Sequence, residues 1–219
     1  MKTGTASALI KYFELLAGIA GIFCYYKNKK SIWFAFAVFL VLLFGMEALG
    51  GWYGKHKMYV QNTNLYKWIV TPVIMTIHHV VYYTILNKKF KPVVIGSAII
   101  LLLVVLIENI YLGKEHFYAV SVADSIYCIA VLFFGLVYFF NLLKKDEILY
   151  YKKLMPFWFC MALLVFYIGC FPYLTFFNSM AVFNKNSSSG YVYRWIFIIL
   201  NYIMYLLFTI GFICSKPKQ

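Results

Sequence analysis

The sequence predicts an all-α integral membrane protein, a bundle of seven transmembrane helices with the N-terminus outside and the C-terminus cytoplasmic. The first observation is composition: 64% of the 219 residues are hydrophobic and only 12% are charged, whereas soluble domains carry about 25% charged residues. The mean hydropathy of +0.80 over the whole chain is too high for a protein with one buried core and a water-exposed surface. Most of the chain is therefore expected to lie in lipid.

The second observation is the number of long apolar segments. A helix needs about 20 mainly apolar residues to cross the hydrocarbon core of a bilayer. Seven segments meet this requirement, at about 8–26, 31–51, 66–87, 92–112, 122–143, 154–177 and 191–214. The connecting segments are short, so residues 1–219 are predicted to form a single transmembrane domain with no attached soluble module.

The third observation is the distribution of basic residues, which sets orientation because cytoplasmic loops are enriched in Lys and Arg. With the N-terminus outside, twelve of the twenty basic residues fall on the cytoplasmic side. These are Lys27, Lys29, Lys30, Lys88, Lys89, Lys91, Lys144, Lys145, Lys152, Lys153, Lys216 and Lys218. The opposite orientation would reverse this asymmetry.

Four carboxylates are predicted to lie at similar depth in the outer half of the bundle. Glu14 lies about two turns into the first helix, Glu47 and Glu108 end the second and fourth, and Asp124 begins the fifth. Ionisable groups in spanning helices are costly and usually face the bundle interior or water. The four could line an outer vestibule that binds a cation or shares protons, or be interfacial residues in contact with water. Lys11, one turn before Glu14, could also neutralise it locally.

A second polar group lies near the centre of the third predicted helix, where His78 and His79 are adjacent in an apolar run. Neighbouring residues on a helix diverge by about 100°, so both imidazoles are not expected to face one point. His79 shares a stripe with Thr76 and Tyr83, which favours it as the inward-facing residue. The sixth and seventh helices bring other polar side chains to similar depth: Tyr167, Asn201, Tyr202 and Tyr205. These residues form either structural interhelical hydrogen bonds or a proton relay or ligand site.

The end of the second predicted helix, "GMEALGGWYG", carries four glycines, for which close helix packing is the expected role. The following Asn62 and Asn64 are expected to cap the third helix, and Pro72 to kink it beyond its first turns.

No cofactor, metal or nucleic-acid partner is predicted. The chain lacks HxxxH, HExxH and CxxC motifs, and its five cysteines lie within or at the ends of apolar segments. A net charge of +13 would favour nucleic acid in a soluble protein, but here the basic residues form short clusters between apolar segments. The expected partners are the lipid bilayer and a protein bound at the basic cytoplasmic loops, with a homo-oligomer also compatible with the sequence.

Two regions resemble a group of uncharacterised seven-helix inner-membrane proteins common in Bacteroidota. They are the "E…NTNLY" region, with Glu47, Asn62, Asn64, Leu65 and Tyr66, and "MPFWFCMALLVFYIGCF" at 155–171. The resemblance implies a multi-pass protein of the inner membrane and implies no activity.

Three function classes remain open on the sequence. The first hypothesis is a sensor or signal-transmitting membrane subunit that acts through partner proteins at the basic loops. The alternative is a small transporter or channel with an outer acidic vestibule and a midplane histidine site. An intramembrane enzyme is the third, and it lacks a visible nucleophile–base or metal constellation.

Overall fold

The computed structural model of the chain describes residues 3–112, 122–183 and 188–215. This part of the chain consists of helices joined by short turns. The α-helices are α1 (Thr3–Tyr25), α2 (Ile32–Lys55), α3 (Tyr59–Leu65), α4 (Thr71–Ile85), α5 (Lys91–Ile107), α6 (Val122–Leu143), α7 (Met155–Phe183) and α8 (Ser188–Cys214). Two π-helical segments, Tyr66–Val70 and Glu108–Leu112, and two 3-10 segments, Lys88–Phe90 and Asp146–Lys153, complete the described structure.

Six helical segments in this part are long and apolar enough to cross a membrane. A seventh results if Asp146–Lys153 and Met155–Phe171, which meet at a bend of 77°, are counted as one broken span. The all-α, multi-pass fold predicted from composition is therefore confirmed with six or seven spans.

Several helices extend beyond the residue ranges that the sequence predicted for them. The third span begins at Tyr59 rather than near 66, because α3 and the first π-helical segment precede α4 without interruption. The hydropathy window found only the residues apolar enough for the hydrocarbon core, whereas a helix continues into polar surroundings because its backbone hydrogen bonds are internal. The two histidines consequently lie near the C-terminal end of the span, seven and six residues before Ile85, rather than at its centre.

The turn between α2 and α3 ends α2 with two hydrogen bonds from N–H groups after the helix to carbonyls of its last turn. The Met58 N–H donates to the Tyr53 carbonyl at 2.9 Å and the Lys57 N–H donates to the Gly54 carbonyl at 3.2 Å. Lys57, with φ of 58°, holds the left-handed position of this Schellman motif. The chain turns tightly enough here for α3 to return along α2, and Asn62 and Asn64 lie inside α3 with Met58 at its N-cap. The predicted capping role of the two asparagines was wrong.

The third span changes helical type just before Pro72. The π-helical segment Tyr66–Val70 precedes α4, and the Thr71 N–H donates to the Tyr66 carbonyl five residues earlier. Proline has no N–H, so a straight α-helix would leave a carbonyl unpaired at this point. A local π-helical turn is one way to accommodate such an interruption.

The helices surround a core rich in aromatic side chains. α1 packs against α2 and α8, α7 packs between α6 and α8, and α4 contacts α2, α5 and α6. Phe36 on α2 lies at the centre, with ring centroids 5.3 Å from Phe159 on α7 and 5.2 Å from Phe208 on α8. At Gly21 on α1, an added Cβ would lie 2.5 Å from the Ala37 Cβ, so a glycine is needed for α1 to approach α2 closely.

The outward faces of the helices are apolar. On α1, for example, Tyr12, Leu16, Ile19 and Phe23 are 53%, 50%, 54% and 86% exposed. Comparable faces occur on the other long helices, and exposed apolar surface of this extent is unsuited to water. The natural environment of these faces is lipid.

Candidate functional site

Glu14 lies in the buried stripe of α1. Ala6, Ile10, Ala17 and Tyr25 are buried on the same face, at helical spacings of three and four residues. The lipid-facing side chains of α1 lie on the opposite side, so the amphipathic pattern of the helix directs Glu14 inward. Its side chain is 0% exposed, and neither carboxyl oxygen makes a hydrogen bond of normal geometry.

Three side chains from three other elements face the Glu14 carboxyl. They are the Glu47 carboxyl on α2, the Tyr205 hydroxyl on α8 and the Tyr66 hydroxyl in the first π-helical segment. Tyr205 is 7% exposed, while Glu47 and Tyr66 are partly buried. We refer to Glu14, Glu47, Tyr66 and Tyr205 as the Glu14 cluster.

The Lys11 charge acts on Glu47 at the edge of the Glu14 cluster. Its Nζ atom lies 5.5 Å from the ring centroid of Tyr12, on the lipid-facing side of α1. Lys11, which the sequence suggested could neutralise Glu14, therefore makes no direct hydrogen bond to it. Glu14 is thus a fully buried acid that forms no ion pair with a basic side chain of the described residues.

Gly50 allows the Glu14 cluster to assemble. A Cβ at Gly50 would lie 2.9 Å from a Tyr66 ring carbon and 3.0 Å from both the Tyr66 hydroxyl and the Asn62 Oδ1. The nearby Gly45, Gly51 and Gly54 have no atom within 4 Å of such a Cβ. Packing as the role of the glycine-rich segment is thus confirmed for Gly50 alone. The Asn62 Oδ1 beside it is buried and has no hydrogen-bond partner in the described part of the chain.

Both histidines face the interior, which corrects the expectation that only His79 does. The buried residues of α4 are Met75, His78, His79, Val81 and Tyr82, so both imidazoles lie on its buried side. Because α4 contacts α2, α5 and α6, its buried arc is wide enough for two adjacent residues. Thr76 and Tyr83, expected to share the inward stripe with His79, are exposed. The Thr76 hydroxyl donates to the Pro72 carbonyl at 2.7 Å.

The two imidazoles have different surroundings. His78 is hydrogen-bonded through Nδ1 to the Tyr127 hydroxyl on α6, and its ring lies 5.7 Å from that of Phe159 on α7. The His79 Nδ1 lies 2.7 Å from the Met75 carbonyl, which can only accept, so this nitrogen carries the proton. The His79 Nε2 is then a buried acceptor that has no partner among the described residues.

Tyr167 lies between the histidines and the Glu14 cluster. Its ring centroid is 5.4 Å from that of Tyr127, at 88°, and its phenol interacts electrostatically with Tyr205. Polar side chains therefore follow one another across the bundle, from His78 through Tyr127, Tyr167 and Tyr205 to Glu14. Asn201, 7% exposed, was expected to join them, but its amide nitrogen donates to the Phe197 carbonyl of its own helix at 2.8 Å.

The predicted layer of four carboxylates divides into two pairs. Glu14 and Glu47 belong to the Glu14 cluster, whereas Asp124 lies in the first turn of α6 and Glu108, which begins the second π-helical segment, reaches the same turn with its carboxylate. Glu108 accepts hydrogen bonds from the Val122 N–H at 2.7 Å and the Ala123 N–H at 3.2 Å, so its charge lies at a helix N-terminus. Asp124 interacts with the phenols of Tyr127 and Tyr167.

Sequence reasoning missed Tyr66 and Tyr127 as members of the polar interior. Tyr127 lies three residues after Asp124 on one face of α6, a spacing that could have identified it. Tyr66 reaches the Glu14 cluster only because the π-helical segment and the Gly50 gap occur together, and no single local pattern signals that. Within residues 3–112, 122–183 and 188–215, no group of three or more His, Cys, Asp or Glu side chains is arranged to hold a metal ion.

Comparisons with protein-family models, curated proteins and solved structures each found no match to this chain. The resemblance to the seven-helix proteins of Bacteroidota consequently stays a prediction. Any functional conclusion rests on the geometry of the interior.

Proposed function

We propose that this chain is a small proton transporter or channel of the cell inner membrane and that Glu14 is its proton-binding group. The observation that carries the proposal is the complete burial of the Glu14 carboxyl beside a second acid, Glu47, with no basic side chain paired to it among the described residues. Of the function classes left open by the sequence, this interior favours the second over the sensor.

The energetic argument concerns the charge of Glu14. An isolated carboxylate in an apolar interior is strongly disfavoured unless its charge is compensated, and the nearest acid, Glu47, would repel it. A proton on Glu14 removes both penalties at once. Buried acids in transmembrane helices commonly mark ion or proton pathways, and a buried carboxyl that binds and releases a proton can form one step of such a pathway.

The other polar side chains supply a route. Phenol hydroxyls both donate and accept hydrogen bonds, and a neutral imidazole does so through its two nitrogens. Tyr205, Tyr167, Tyr127 and His78 provide such groups between Glu14 and α4. The His79 Nε2 is a further acceptor beside them. With the N-terminus outside, protons would enter near Glu47 and leave near the lysine-rich end of the bundle.

Proton flux in proteoliposomes tests the proposal. Purified protein is reconstituted with a pH-sensitive dye inside the vesicles, and a potassium diffusion potential drives protons inward. We expect acidification faster than in protein-free vesicles, abolished by Glu14→Gln and slowed by Glu47→Gln. Asp146→Asn, which removes one acid from the exposed 3-10 segment, is the matched control and should retain the flux.

Two results would contradict this function. One is a wild-type flux no greater than that of empty vesicles, and the other is an undiminished flux in Glu14→Gln. Glu14→Gln changes one oxygen to an amide of the same size, so the folded fraction can be checked by size-exclusion chromatography before each measurement.

Sensing is the second candidate, and one observation favours it. α8 carries Tyr205 against Glu14 and ends at Cys214, an exposed residue nine positions later, next to the lysine-rich end where a partner protein could bind. Protonation of Glu14 could thus alter the position of α8 at that end. Two results together would favour the sensor. The wild-type protein would show no proton flux, and its rate of Cys214 alkylation would depend on external pH, whereas the rate in Glu14→Gln would not.

A further inference from the structure

A cavity of about 400 Å³ opens at the end of the bundle where α1, α4 and α6 end and α2 and α7 begin. The 3-10 segment Asp146–Lys153 contacts α6, α7 and α8 at this end and meets α7 at 77°. Residues just before, within and just after the segment form one wall. The bend therefore helps to build the cavity, which is separate from the Glu14 cluster.

The charged side chains of the cavity are predominantly basic. Lys145 and Lys153 line it, with Glu147 as its acid. Neither lysine forms an ion pair with another described residue, and the Lys153 Nζ instead lies 5.8 Å from the Tyr150 ring centroid. Two ammonium groups are thus available to an anion at the cavity wall.

The Asn141 side chain also lines the cavity, and its Nδ2 is buried below the cavity surface, without a hydrogen-bond partner in the described part of the chain. The first residues of α2, including Ile32 and Trp33, also line it. The Ser31 side chain and carbonyl accept from the Trp33 and Phe34 N–H groups, so this end of the 24-residue helix contributes mainly a partial positive charge. Two lysines and the N-terminal end of a long helix together favour the binding of phosphate.

The remaining wall is apolar. Ile32, Ile85, Leu154 and Met155 contribute aliphatic surface beside the polar groups. A ligand that has a phosphate next to a glycerol or acyl portion would match both parts of the wall.

We propose that this cavity binds the phosphate group of a phosphate ester, supplied by an anionic membrane lipid or by a soluble glycerol phosphate. Lys145 and Lys153 contact the phosphate oxygens beside the N-terminus of α2, and the aliphatic wall receives the glycerol portion. This site does not depend on proton transport by Glu14, since no residue of the Glu14 cluster takes part.

Native mass spectrometry of the full chain in a neutral detergent tests the lipid source. The protein is titrated with phosphatidylglycerol and separately with phosphatidylcholine. We expect one phosphatidylglycerol to be retained and its apparent Kd to rise at least about tenfold in the double variant Lys145→Ala/Lys153→Ala, as loss of charged hydrogen bonds implies. Lys144→Ala/Lys152→Ala removes the two adjacent lysines that do not line the cavity and should leave the Kd unchanged.

A second arm tests the soluble source. The thermal midpoint of lipid-free protein is measured with glycerol 3-phosphate and with an equal concentration of sodium chloride. A rise specific to glycerol 3-phosphate, lost in Lys145→Ala/Lys153→Ala alone, assigns the site to a soluble ester. The proposal is overturned if neither ligand binds, if phosphatidylcholine binds equally well, or if the two lysine pairs weaken binding to the same extent. Glu14→Gln should bind phosphatidylglycerol like wild type, so failure of the proton proposal would leave this result intact.

Discussion

At the scale of single residues, the bundle interior contains two kinds of buried polar group. His78, Tyr127 and Asn201 have hydrogen-bond partners, as most buried polar groups in folded proteins do. The Glu14 carboxyl and the His79 Nε2 make no hydrogen bond of normal geometry within the described structure, although the Tyr205 hydroxyl faces Glu14. A proton on Glu14 removes a buried negative charge, whereas a proton on the His79 Nε2 would create a buried positive one, so Glu14 is the group of the two whose protonation burial favours.

The hydrogen bond between His78 and Tyr127 should contribute to stability. Tyr127→Phe leaves the His78 Nδ1 without its partner, and we expect the free energy of unfolding in detergent to fall by about 1 kcal/mol, the usual range for interhelical hydrogen bonds in membranes. Tyr83→Phe, which removes an exposed hydroxyl from the same helix as His78, is the control. A similar loss of unfolding free energy in both variants would show that the His78–Tyr127 hydrogen bond makes no specific contribution to stability.

The sequence revealed the burial of Glu14 better than that of the histidine pair. On α1, small and apolar residues recur at helical spacing on one face, and the carboxyl lies in that stripe. On α4, apolar residues surround the helix, and the stripe could not be located without knowing that α4 contacts several other helices. Tyr83 and Thr76 were assigned to the interior for this reason, although both are exposed.

At the scale of elements, the first π-helical segment positions part of the site. Tyr66 begins this segment, and its ring lies against Gly50 of α2. π-Helical turns are frequent at functional sites. The sequence predicted a kink at Pro72 but not the π-helical segment before it, because π-helical turns have no strong sequence signal of their own.

Substitution of Gly50 tests this contact. In Gly50→Ala the new methyl group would overlap Tyr66 and Asn62, so we expect the π-helical segment to shift, proton flux to fall and the thermal midpoint to decrease. Gly51→Ala adds the same methyl group where no atom lies within 4 Å. Equal behaviour of the two variants would contradict a positioning role for the Gly50 contact.

At the scale of the whole molecule, the basic residues fall mostly at one end. The turns between α1 and α2, between α4 and α5 and between α6 and α7 carry most of the lysines predicted to be cytoplasmic, while Lys216 and Lys218 lie outside the described residues. Composition and hydropathy predicted this architecture because lipid imposes long apolar helices on any sequence that crosses it. They could not predict which helices pack together, since lipid-facing and protein-facing residues are both apolar.

The proposed orientation predicts the location of the C-terminus. With twelve basic residues on the inner side, we expect a fluorescent protein fused after Gln219 to be active and a periplasmic phosphatase fused at the same point to be inactive. The reverse pattern would contradict the N-out, C-in orientation and would place the Glu47 side of the Glu14 cluster toward the cytoplasm.

Infrared difference spectroscopy of the reconstituted protein tests the proton on Glu14 most directly. A protonated carboxyl gives a C=O stretching band distinct from that of a carboxylate, and its position shifts on transfer to deuterated water. We predict that wild-type protein at neutral pH shows such a band and that Glu14→Gln lacks it, while Asp146→Asn retains it. Identical carboxyl bands in wild type and Glu14→Gln would contradict the account, because Glu14 would then carry no proton in the folded protein.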